Sequence, residues 1–103
     1  MKNYKTFKDL KFKPYGLSNA SQRVSVFLRD YYKSAKQALI RFENGYGVSV
    51  LLGRCFHSNG VDTYELGILY DEDLTYNTDI ADDVLGYMTE EEVTEIMIKV
   101  QDI

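Results

Sequence analysis

The chain has little of what most enzymes and secreted modules are built from. Its 103 residues include one cysteine (Cys55), one histidine (His57), one proline (Pro14) and no tryptophan. A lone cysteine excludes an internal disulfide framework and suits a reducing compartment. One imidazole leaves a single candidate base for nucleophilic catalysis. One cysteine and one histidine fall short of a closed zinc site. No apolar run approaches the roughly 18 residues of a membrane span, so no membrane partner is expected. The first fifteen residues are rich in lysine but lack the apolar stretch of a secretory signal.

What is present fits one globular domain over residues 1–103, with 45% hydrophobic and 27% charged residues. The net charge of −4 conceals a division: residues 1–55 carry eleven basic and three acidic groups, net +8, and residues 56–103 carry one basic and thirteen acidic groups, net −12. Such asymmetry marks an interaction surface for charged partners, unless the two halves pack together and neutralise each other.

Periodicity predicts an α+β fold. Phe7, Leu10 and Phe12 are candidate anchors in the basic N-terminal stretch, and Lys13-Pro14-Tyr15-Gly16 reads as a turn. An additional helix is expected near residues 20–36. Val24, Phe27, Leu28, Tyr31, Tyr32 and Ala35 share one side of it, and Asn19 and Gln22 are placed for a cap. A short strand through Val24-Ser25-Val26 is its rival. From Gln37 the period falls to two: Ala38, Ile40 and Phe42 alternate with Leu39 and Arg41. Asn44-Gly45 is a hairpin signal, read as a type I′ turn. Alternation resumes through Tyr46, Val48, Val50 and Leu52, and again through Tyr64, Leu66, Ile68 and Tyr70. A short fourth strand is expected at Leu74 to Thr78, and one helical turn within Asp79 to Gly86. Thr89 and Glu92 form a capping box, and Val93, Ile96, Met97 and Val100 a helical stripe. The expected architecture is a three- or four-stranded antiparallel meander packed against the C-terminal helix. The opposite sheet positions Gly47, Ser49, Glu65 and Gly67 would face solvent or a partner.

Sites of familiar chemistry are weakly represented. Cys55 and His57 are two apart but lack an orienting residue and an oxyanion site. Gly45-Tyr46-Gly47 lacks the third glycine of a dinucleotide loop and does not open a helix. Asp71-x-Asp73 lacks the remaining ligands of a calcium loop. No metal, cofactor or catalytic residue is therefore expected. Acidic groups are the better candidates: Asp71, Glu72, Asp73, Asp79, Asp82, Asp83, Glu90, Glu91, Glu92 and Glu95 fall within 25 residues. A carboxylate-studded surface can imitate nucleic-acid phosphates and occupy a basic channel, the rules of phosphate recognition holding with the roles reversed. Nine tyrosines and five phenylalanines add side chains of the kind enriched at protein interfaces.

The run Phe42-x-Asn44-Gly45-Tyr46-Gly47-Val48-Ser49-Val50, with Tyr64-Glu65-Leu66 and Thr89-Glu90-Glu91-Glu92-Val93, resembles a group of small accessory proteins of tailed bacteriophages. Lys11-Phe12-Lys13-Pro14 is similar to the start of that group, whereas the segment from Tyr15 to Lys36 reads as an insertion. The resemblance transfers no catalytic residue. It implies a phage origin and action in the bacterial cytoplasm, by analogy with small acidic phage proteins that bind host machinery, anti-CRISPR and other anti-defence inhibitors among them. On this reading the partner is a host protein or protein–nucleic-acid complex, engaged through Asp71, Glu72, Asp73, Asp79, Asp82, Asp83, Glu91 and Glu95. The alternative is a nucleic-acid-binding accessory protein using Lys2, Lys5, Lys8, Lys11 and Lys13, with Tyr4, Phe7 and Phe12 for stacking.

Overall fold

A computed structural model describes residues 3–15, 35–54, 56–71, 73–75, 78–81 and 83–103. Its elements are β1 (Lys13–Pro14), β2 (Lys36–Arg41), β3 (Tyr46–Leu52), β4 (Tyr64–Tyr70), β5 (Asp73–Leu74), β6 (Leu85–Met88) and α1 (Glu90–Gln101), preceded by a 3-10 turn at Phe7–Asp9. The sheet is antiparallel, in the order β1-β2-β3-β4-β5, and β6 also pairs with β4. One helix on one face of this sheet makes the fold α+β.

The alternating pattern sets the register. Ala38 lies opposite Val50 and Ile40 opposite Val48, and Val50 lies opposite Leu66 and Val48 opposite Ile68. One row of branched side chains thus forms a continuous apolar face, because side chains on a pleated strand alternate. Slipping the register by one residue would send the whole row to the other side. Onto it packs the stripe of α1, where Val93, Met97 and Val100 are fully buried and Ile96 is half-buried. Thr89 accepts the Glu92 amide through its hydroxyl, and the Glu92 carboxylate accepts the Thr89 amide, at 3.2 and 3.0 Å. Met88, just before this cap, is buried in the same core as Val93, the arrangement of a hydrophobic staple.

The hairpin differs in detail from expectation. Among the described residues only Asp71 and Tyr87 are non-glycine positions with positive φ, so Asn44 does not meet the type I′ requirement. Instead Gly45 alone turns left-handed, at φ 89°. Its amide donates to Phe42 O at 3.2 Å, and the Phe42 amide donates to Tyr46 O at 2.7 Å. This is a three-residue loop ending in a left-handed glycine, the next commonest hairpin solution.

Three further segments depart from the sequence reading. Lys13-Pro14 is an edge strand rather than a turn, paired with Lys36 and Gln37. Proline is tolerated there because an edge strand can do without one ladder donor. The expected fourth strand is only Asp73–Leu74, and Leu85–Met88 resumes the pairing along the same edge of β4. Gly86 therefore lies within a strand and does not terminate a helical turn. Residues 78–81, 83 and 84 are irregular, with Ile80 and Ala81 tucked against the core. The expected helix near 20–36 falls on residues outside the described set, except that Ala35 precedes β2 and Lys36 opens it.

The N-terminal stretch closes the side of the core. Phe7, Phe12 and Tyr64 meet with ring centroids 5.0–5.9 Å apart. The Phe7 amide donates to Thr94 Oγ1, and Gln101 exchanges two bonds of 2.8 Å with the backbone of Lys5. Phe7, Leu10 and Phe12 are anchors, as expected from an apolar trio in a basic stretch.

Candidate functional site

The topology distributes the acidic residues along one edge. Asp71 and Asp73 stand where β4 turns into β5, beside Tyr70. Glu90, Glu91 and Glu92 open α1 immediately after Met88, which pairs with Tyr64 at the other end of β4. Asp79 and Asp83 lie in the excursion between β5 and β6. Six residues of strand at about 3.4 Å each separate the two ends, roughly 20 Å. That exceeds the screening length of about 8–10 Å. The carboxylates at the two ends accordingly form separate groups rather than one compact cluster.

Asp71, Asp73, Asp79, Asp83, Glu91 and Glu95 are all exposed. Among the described residues none of them forms an ion pair, and Glu95 makes none with Lys99 one turn on. Asp83 bonds only locally, accepting the Val84 amide at 2.7 Å. Glu72 and Asp82 lie outside the described residues. Asp71 adopts φ 51°, a conformation that aspartate tolerates better than most residues.

Basic residues occupy the opposite edge. Lys13, Lys36 and Arg41 are exposed on β1 and β2, four and three strand spacings from β5, or roughly 19 and 14 Å at about 4.8 Å each. Further along the chain's course, Lys5 is tied to the last turn of α1 rather than to its acidic first turn. Lys13 and Lys36 thus stand on the other side of the sheet from Asp71 and Asp73.

The second face of the sheet is less open than expected. Gly67 is buried beneath Leu74 and Val84. Gly47 is buried as well, and Ser49 is only 8% exposed, its hydroxyl accepting a bond from Gln37 Nε2 at 3.1 Å. Glu65 is half-buried. Leu39, Leu51, Leu69 and Leu74 line a groove across this face. Their apolarity is the off-phase residue of strands whose other face is more strongly apolar.

Sequence reasoning missed a cluster on the β3–β4 loop. His57 donates its backbone amide to Glu65 Oε1 at 3.1 Å, and its Nδ1 lies 2.9 Å from the same oxygen. The ring of Tyr87 stands 6.3 Å from the His57 ring. The loop beneath is rigidly bonded: Asn59 Oδ1 accepts the amides of Val61, Asp62 and Thr63. The Ser58 hydroxyl accepts the amides of Gly53 and Gly60 and donates to Thr63 O. Ser58-Asn59-Gly60 signalled a turn, but Glu65 lies eight residues from His57 with nothing in the sequence to couple them. Cys55, two residues from His57 and considered with it in the sequence, lies outside the described residues. Among the described residues no three His, Cys, Asp or Glu side chains are grouped to hold a metal ion, and no helix is long and apolar enough to cross a membrane.

Comparison of the chain with protein-family models, with curated proteins and with solved structures finds no match.

Proposed function

We propose that this chain is a non-enzymatic phage accessory protein that binds and inhibits a host factor. The target is a nucleic-acid-handling defence complex, and the acidic edge is the contact. One observation carries the reading: at the two ends of β4, exposed carboxylates that form no ion pair among the described residues are held on a framework of strands and capped helix. They present fixed negative charge to the lysines and arginines that line a nucleic-acid channel. They would occupy the place of a phosphate backbone. Steering by this field favours fast encounter, and competition with nucleic acid supplies the inhibition.

The basic N-terminal stretch supports the nucleic-acid-binding alternative less well. Phe7 and Phe12 pack against Tyr64 and α1, so their rings are engaged in the fold, and Tyr4 donates its hydroxyl to Asp102 at 2.6 Å. Lys5, Lys8, Lys11 and Lys13 remain exposed there, with Asp9 among them.

The test is a variant carrying Asp73→Lys, Asp79→Lys and Asp83→Lys together with Asp71→Asn. Asparagine is chosen at 71 because it accepts the left-handed backbone that lysine would strain. The variant should melt like the parent yet fail to protect phage from a nucleic-acid-targeting host defence, and its capture of the target should fall. Parent binding should weaken as salt rises. A correctly folded variant that protects as well as the parent overturns the reading. A salt-sensitive gel shift with the isolated protein would transfer the function to the basic stretch.

A further inference from the structure

Tyr87 combines two costs in one residue. Its backbone is held at φ 53°, in the left-handed region where a bulky side chain is an outlier. The residue is 61% exposed, so the core gains little from it. The strain has a local cause: between the pairs Leu66–Leu85 and Tyr64–Met88 the β4–β6 register shifts. The Tyr87 amide is thereby directed to His57 O, to which it donates at 2.8 Å. Bulges of this kind re-aim a side chain. Here the re-aimed ring stands beside His57, whose own ring is 65% exposed and held by Glu65. Gly86 fits the same corner closely, since a β-carbon there would come within 2.6 Å of His57 Cβ.

A carboxylate belongs to this corner: Glu65 Oε1 lies 2.9 Å from His57 Nδ1, and Glu90 follows Tyr87 by three residues, exposed at the start of α1. Two exposed rings with carboxylates so placed fit a planar cation. A guanidinium can lie flat against a tyrosine ring while keeping its charge near carboxylates, whereas an ammonium is a compact, more strongly hydrated charge.

We propose that Tyr87 and His57 are the anchor for an arginine side chain of the basic protein partner, with the guanidinium stacked on the Tyr87 ring. This rests on the reading of the acidic edge as the partner-binding surface, and names the contact that gives it preference for arginine over lysine.

The probe is a pair of synthetic peptides, one alternating arginine with glycine and one alternating lysine with glycine, titrated at low salt. The parent should bind the arginine peptide about 2–5-fold more tightly, the size of an exposed cation–π contact. Tyr87→Gly and Tyr87→Asn both accept the left-handed backbone. At least one should melt at or above the parent temperature, and that variant should bind the two peptides equally. Tyr87→Phe should keep the preference. Retention of the arginine preference in a folded Tyr87→Gly or Tyr87→Asn protein, or its absence in the parent, overturns the anchor. The acidic-edge variant separates the two ideas: it should weaken both peptides alike and leave their ratio unchanged. If it still protects phage while Tyr87→Gly abolishes the preference, the acidic-edge reading fails and the anchor stands.

Discussion

Asn44 Nδ2 donates to the backbone carbonyl of Val100 at 2.9 Å. The bond spans 56 residues and joins the β2–β3 hairpin to the last turn of α1. The last carbonyls of a helix have no partner within it, and here the hairpin supplies one. The same side chain accepts the Tyr46 amide through Oδ1 at 3.0 Å, so one asparagine shapes the turn and clamps the helix.

Replacing Asn44 with alanine removes both bonds: the Val100 carbonyl keeps only backbone donors beyond the helix end, the Ile103 amide at 3.3 Å among them, and the part-buried Tyr46 amide loses its side-chain acceptor. A cost of about 1–3 kcal/mol is expected. Urea denaturation should show the midpoint falling, and hydrogen exchange should show the last turn of α1 losing protection more than its first.

The helix stripe divides into unequal parts. Met97 is 0% exposed, so Met97→Ala leaves a cavity and should cost about 2–5 kcal/mol. Ile96 is only half-buried, at the margin of the stripe, where water and neighbouring side chains can fill the space. Ile96→Ala should cost less, by at least about 1 kcal/mol. Equal losses in urea denaturation would place Ile96 at the centre of the core.

Most of the fold was legible in the sequence where one face dominates. The alternation from Ala38 to Leu52 and from Tyr64 to Tyr70 fixes three strands, and the Thr89–Glu92 box with Val93, Met97 and Val100 fixes α1. What could not be read depends on partners remote in sequence. Lys13-Pro14 has no strand pattern of its own and is a strand only because Lys36 and Gln37 lie beside it. Leu85–Met88 is short, contains a glycine, which is poor for a strand, bulges at Tyr87, and is held by β4. For the site, the acidic composition was plain. That the acids gather at the two ends of β4 depends on the strand order, and that His57 and Tyr87 converge depends on the register shift beside β4, which has no sequence signature.

Gly45 carries the left-handed conformation that the hairpin loop requires, and its carbonyl accepts the Asp71 amide at 3.1 Å. Gly45→Val places a β-branched side chain at φ 89° and should cost about 1–2 kcal/mol or more. The loss should be visible as a lower melting temperature, and Gly45→Asn should recover part of it, since asparagine visits this region most readily among the larger residues.

Tyr64 titrates above the ordinary tyrosine range, first because burial disfavours the phenolate, then because Glu90 and Asp62 repel it. The sign of the consequence follows from linkage. A folded pKa raised above the unfolded one means that, as pH climbs past about 10, the unfolded chain releases this proton first. Folding then holds a proton that the unfolded state has lost, and stability drops with pH, by at most about 1.4 kcal/mol per unit from this one group. The contribution is complete below the unfolded pKa and is lost as pH rises through the folded one. Urea midpoints of the parent and of Tyr64→Phe, compared at neutral pH and at several values above 10, isolate the effect, because the lysines and other tyrosines titrate in both proteins. The parent should fall more steeply. Glu90→Gln, which removes a repelling charge and leaves the phenol in place, should bring the Tyr64 titration, followed by NMR, down toward the ordinary value. Parallel stability profiles for the parent and Tyr64→Phe would mean that the phenol ionises as easily in the folded protein as in the unfolded chain.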